Sequence, residues 1–144
     1  MKRLLIGGVC VGLLAGALGC SEPDKRVVAA SADGAFEVAL SAKKNWLRPG
    51  DALPIRVEVV SLAGRLAATR RETMTFVVNN GSVTPSYLPI TFVGRDDSVT
   101  AGAEDTYRGW ITFTSSYSAA ATDQGEVHAL FGDIQATLKI RITE

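Results

Sequence analysis

Few of the side chains that most reactions and metal sites need are present in this sequence. It holds two cysteines, Cys10 and Cys20, and one histidine, His128. Both cysteines lie among the first twenty residues, so neither a disulfide framework nor a thiolate metal centre can form in the rest of the chain. Zinc, which takes several His or Cys ligands, lacks donors. Nucleophilic catalysis through a Ser-His-Asp arrangement would have to use His128, and the alternation around it turns that side chain toward solvent. An excess of charge is missing too. Removal of Lys2 and Arg3 with a leader takes the 15 basic residues to 13, against 15 acidic ones. That balance suggests neither nucleic acid nor an anionic surface as partner. No internal repeat, sustained helical period or cofactor-binding motif is visible, so no cofactor is expected.

What is present begins at the N-terminus. Lys2 and Arg3 precede an uncharged run from Leu4 to Ser21, the layout of a bacterial export leader. Gly7, Gly8, Gly12, Gly16 and Gly19 dilute the run, which argues against a retained span of about 20 strongly apolar residues. Two cleavage patterns overlap. Ala15 and Ala17 form an A-x-A site with a cut after Ala17, which would release a free periplasmic or secreted domain. "ALGC", residues 17 to 20, resembles the lipobox of bacterial lipoproteins. That resemblance implies that Cys20 is joined to lipid and becomes the first residue, and that Ser21 after it directs the protein to the outer membrane. The expected division is a signal peptide at 1–19, a lipidated cysteine with a flexible tether at 20–34, and one folded domain at 35–144.

Beyond the tether, the chain alternates with period two. Phe36, Val38 and Leu40 share one face, and Leu53, Ile55, Val57 and Val59 another, with Arg56 and Glu58 opposite. Pro49-Gly50-Asp51 between them is a turn, and Pro54 belongs at a strand start or edge. Met74, Phe76 and Val78 mark a further strand, closed by Asn80-Gly81 as a tight turn. Residues 84–109 are harder to divide, with a short strand at 90–93, another near Val99 and acidic loop pieces. The "WITFT" stretch sets Trp110, Thr112 and Thr114 against Ile111 and Phe113. Val127, Ala129 and Phe131, the Gly132-Asp133 turn, and Ala136, Leu138, Ile140 and Ile142 complete a hairpin. About seven strands without helix predict an all-β antiparallel sandwich.

"TMTFVVNNGSVTPS", "TDQGEVHALFGDIQATLKIRI" and "LRPGDAL" resemble the bacterial immunoglobulin-like domains of invasin- and intimin-type surface proteins. Thr122, Asp123 and Gly125 stand at the corner that precedes the alternating strand in that family. The resemblance, over residues 36–142, implies an immunoglobulin-like sandwich and carries no activity with it.

The candidate sites are few. Asp96, Asp97, Glu104 and Asp105 could supply oxygen ligands to calcium, or simply be an acidic solvated loop. A glycosidase-like carboxylate pair drawn from them has no fixed separation. Arg65, Arg70 and Arg71 read as a solvated turn rather than an anion or headgroup patch. Trp46, Tyr87, Tyr107 and Trp110 could include a sugar platform, although a strand tryptophan such as Trp110 is expected in the core. The expected function is non-enzymatic: a lipid-anchored binding module of the cell envelope, held in the membrane through Cys20, with an envelope protein or glycan as partner. The alternatives are an assembly subunit pairing through a sheet edge and a small hydrolase or hydrolase inhibitor.

Overall fold

Alternating side chains in a paired strand fall on opposite faces, so each apolar row can be buried while its polar partners stay in water. The computed structural model describes residues 25–62, 70–92, 105–120 and 123–143, with the backbone alone at 70 and 105. Among these residues there are ten strands and no helix. They are β1 (Lys25–Ala30), β2 (Phe36–Ala42), β3 (Trp46–Leu47), β4 (Ala52–Ser61) and β5 (Arg70–Asn79), followed by β6 (Gly81–Thr84), β7 (Tyr87–Phe92), β8 (Asp105–Ser115), β9 (Gln124–Phe131) and β10 (Ile134–Ile142).

They form two five-stranded sheets in a sandwich-like arrangement, ordered β1-β2-β4-β8-β6 and β3-β10-β9-β5-β7. Neighbours are antiparallel except β3, which runs parallel to β10. The inner rows of both sheets merge in one apolar cluster that includes Leu40, Val57, Ile111 and Phe113 of the first sheet and Met74, Val127, Leu138 and Ile140 of the second. Each such side chain contributes roughly 1.5–3 kcal/mol by leaving water, and with no cysteine in this region packing carries the fold. Phe36 crosses between the sheets, its ring 5.5 Å from that of Phe92 and 5.7 Å from that of Phe131.

Several expectations from the sequence need correction, the first being the strand count, which is ten among the described residues rather than about seven. Residues 21–34 are not tether throughout, because Lys25–Ala30 pairs along its length with Ala42–Glu37 as β1. The Asn80-Gly81 step is not a hairpin turn. Asn80 takes a positive φ of 50°, and the chain passes there from β5 in the second sheet to β6 on the edge of the first. Glycine is required next, since a Cβ on Gly81 would collide with the Thr114 carbonyl oxygen and the Phe113 ring. The strand near residue 90 starts earlier, at Tyr87, and "WITFT" is the second half of a strand that begins at Asp105. Trp110 is not in the core; it lies on the outer face, 61% exposed.

Other expectations match the structure. Asp51 donates its N–H to the Arg48 carbonyl across the Pro49-Gly50 turn. Gly132, at φ 58°, opens the two-residue turn between Phe131 and Ile134, where a positive φ matches the twist of the paired strands.

The registers give the sandwich two ends. Lys25, Ala42, Ala52 and Thr114 gather at one, which we term the entry end. Ser61, Phe36 and Asp105 lie at the other, the far end. The ten residues of β4 separate the two by about 33 Å.

Candidate functional site

A groove opens at the entry end because β2 and β4 part there. Their pairing stops at Ser41 opposite Arg56, while β4 runs on to Ala52 against β8 and β2 turns away through Lys43 and Lys44. Pro54 suits this stretch of β4, where no β2 ladder requires its missing N–H. The space left encloses about 640 Å³. Ala42, Leu53 and Pro54 line it with apolar surface, and Lys43, Lys44, Arg56 and Trp110 add three cations and an indole. Trp110 sits directly across the strand pair from Arg56. Lys44 also reaches Trp46, its Nζ lying 4.3 Å from the ring centre in a cation–π contact.

One step along the same face, Glu58 is enclosed by arginines. Arg56 donates to its Oε1 at 2.6 Å and Arg108 Nε donates to the same atom at 3.1 Å, while Arg26 of β1 approaches Oε2 at 3.8 Å. Partial burial opposes ionisation of Glu58. The Arg108 hydrogen bond and the charges of Arg56, Arg26 and Arg108 outweigh it, and the carboxyl is held below its ordinary value. A lowered folded-state pKa gives stability that is present above the unfolded value of about 4.3 and lost as pH falls through the folded one. The arginines are largely solvated, which keeps the effect to about 1 kcal/mol. Glu58→Gln should therefore be the less stable protein at neutral pH, with the difference closing below about pH 4. Urea melts of both proteins across that range check it, and a constant difference would show that the ion cluster contributes nothing.

Two turns are tied together at the far end. Asp33 Oδ1 accepts from the Ser31 hydroxyl at 2.6 Å and from the Ala35 N–H at 2.9 Å, and Ala32 N–H donates to Asp133 Oδ2 of the β9–β10 turn at 2.9 Å. Phe92 and Asp105, between which Asp96, Asp97 and Glu104 fall in sequence, both stand at this end. Those three carboxylates, the side chain of Asp105, and Cys20 lie outside the described residues. Among the described residues, no group of three or more His, Cys, Asp or Glu side chains is placed to hold a metal ion. Arg65 and the Arg70 side chain also fall outside; Arg71 is exposed.

The aromatic residues do not assemble into one platform. Trp110 is on β8 in the first sheet, Tyr87 on β7 in the second, and Tyr107 packs against the core. His128 sits on the outer face as its alternation requires, yet only 24% of its side chain is exposed. Its Nδ1 lies 2.9 Å from Thr137 Oγ1 directly across the strand pair, and its Nε2 lies 3.3 Å from Glu126 Oε2. Gln135 also approaches Nδ1, at 3.3 Å. The row is a cross-strand polar network on a sheet face.

Lys43, Lys44 and Arg56 were not singled out in the sequence as site residues. The signal was present as "KKNW" beside a strand end, but only the β4–β8 register brings Arg56 and Trp110 to it. Compared with known proteins, the chain matches no family model, no curated protein and no solved structure.

Proposed function

We propose that the protein is a non-enzymatic, lipid-anchored module of the bacterial envelope, an immunoglobulin-like sandwich held at the outer membrane through Cys20 that presents its far end to an envelope protein or glycan. The observation that carries this reading is the polarity of the fold. The chain enters β1 at Lys25, five residues after Cys20, and the ends flanking both long connections, Ser61 to Arg70 and Phe92 to Asp105, lie at the opposite end. An anchor at the entry end leaves the strand ends that flank those connections facing away from the membrane.

Strand order supports the immunoglobulin-like assignment. Constant-type domains arrange strands A-B-E-D against G-F-C. Here β2-β4-β8-β6 faces β10-β9-β5, and in chain order these are the first to the seventh of such a set. β1, β3 and β7 are then additions at the sheet edges.

A second reading, assembly through a sheet edge, is favoured by β1, a six-residue edge strand with Val28 half exposed. One experiment separates the two. A photo-crosslinking amino acid placed at Asp97, at Val28 or at Val77 is activated in intact host cells. Presentation from the far end predicts a discrete product from position 97 alone. A product from position 28 alone would favour edge assembly, and equal labelling from all three would contradict both.

A further inference from the structure

The groove at the entry end belongs to a larger cationic and aromatic surface. Lys25, Lys43, Lys44 and Arg48 are all placed at this end by the pairing of Lys25 with Ala42 and by the 48–51 turn that follows β3. Two exposed aromatics stand among them. Trp46 is 40% exposed, and Tyr117, at 87%, lays its ring against Gly50 in that turn. The described carboxylates toward this end are Asp51, Asp123, Glu58 and Glu126; Glu58 is held by its arginines, Glu126 lies 3.8 Å from Lys139, and one oxygen of Asp123 is occupied by the Ala120 N–H at 2.8 Å. The near-neutral total conceals this concentration of positive charge, because the carboxylates near Asp33, Glu72 and Asp133 lie toward the other end.

The lysine and tryptophan side chains suit a membrane–water boundary. A lysine stem can lie along apolar surface while its ammonium reaches a phosphate, and Trp and Tyr prefer the headgroup level. We infer that this end docks on the anionic phosphate headgroups of the bilayer, with Lys43 and Lys44 holding the phosphates beside Trp46 and Trp110. The placement rests on the proposed anchor at Cys20: five residues reach at most about 17 Å, so a lipid there keeps Lys25 and its neighbours at the headgroup surface. Charge complementarity then selects the occupant, since each lysine near an anionic surface adds to binding and the attraction fades within a Debye length.

The test uses the chain from residue 20, which contains every described strand, with Cys20→Ser so that no lipid contributes. Binding is measured by co-sedimentation with vesicles of phosphatidylcholine alone or mixed with phosphatidylglycerol, at low and high salt. The expected result is binding to the mixed vesicles, weakened by salt and lowered at least about tenfold by Lys43→Glu with Lys44→Glu. A protein carrying Arg70→Glu with Arg71→Glu, at the far end of β5, has the same net charge and should bind like the parent. Absence of binding to the mixed vesicles, equal binding to both kinds, or equal loss in the two charge variants would overturn the docking. The anchor is read separately, from the N-terminal mass of the wild-type protein in its host, so failure of either reading is told apart from failure of the other.

Discussion

Phe113→Ala should lower the unfolding free energy by about 3–5 kcal/mol, while Trp110→Ala, three residues earlier on the same strand, should cost less than about 1 kcal/mol. The contrast follows from the side on which each ring falls. Phe113 is fully buried between the two sheets, and it packs closely enough on β6 and β9 that a Cβ at either Gly81 or Gly125 would strike its ring. One side chain thus fills the space between an edge strand of the first sheet and a central strand of the second. Truncating it removes apolar burial and leaves a cavity that two glycine backbones have no side chains to fill. Trp110 points outward and loses mainly its contacts along the groove. Denaturant melts with an unchanged m-value measure both. Because slipping a strand by one residue exchanges its two faces, a Trp110 variant as damaging as the Phe113 variant would mean that β8 is paired in the wrong register.

Replacing Cys20 by alanine should move the protein from the membrane fraction to the soluble fraction of its host. Each buried methylene contributes roughly 0.8 kcal/mol, so the two or three acyl chains of a bacterial lipoprotein hold almost irreversibly, whereas headgroup docking does not. The two contributions separate by salt. At low ionic strength the variant should remain partly membrane-associated through Lys43, Lys44 and their neighbours, and at high ionic strength it should leave completely. The unsubstituted protein should stay in the membrane under both conditions. Release of both proteins by salt alone would show that charge, and no lipid, holds the chain.

The period-two alternation made much of the fold legible. It assigned the inward rows of β2, β4, β9 and β10 correctly, because a half-buried strand needs one apolar face and the sequence writes that face at every second residue. It also set Trp110 on the face of Thr112 and Thr114. The expectation of a core tryptophan comes instead from where strand tryptophans sit in sandwich folds, and the alternation is the better guide. β1 escaped notice because its residues are half-buried and exposed in turn, without the apolar contrast that marks a strand between two neighbours. The Asn80-Gly81 corner reads locally like a hairpin, and nothing in four residues says which sheet the chain joins next. The groove was illegible for a similar reason. Its cations come from the end of β2 and the middle of β4, its indole comes from β8, and only the pairing of those strands assembles them.

The proposed anchor at Cys20 is tested most directly by the intact and N-terminal mass of the protein isolated from its host's membranes. A chain that begins at Cys20 and carries a diacylglyceryl group, with the added mass absent from the Cys20→Ala protein, is the predicted result. A chain that begins at Leu18 with an unmodified cysteine would contradict it, and the sandwich would then be a free domain with no fixed end toward the membrane.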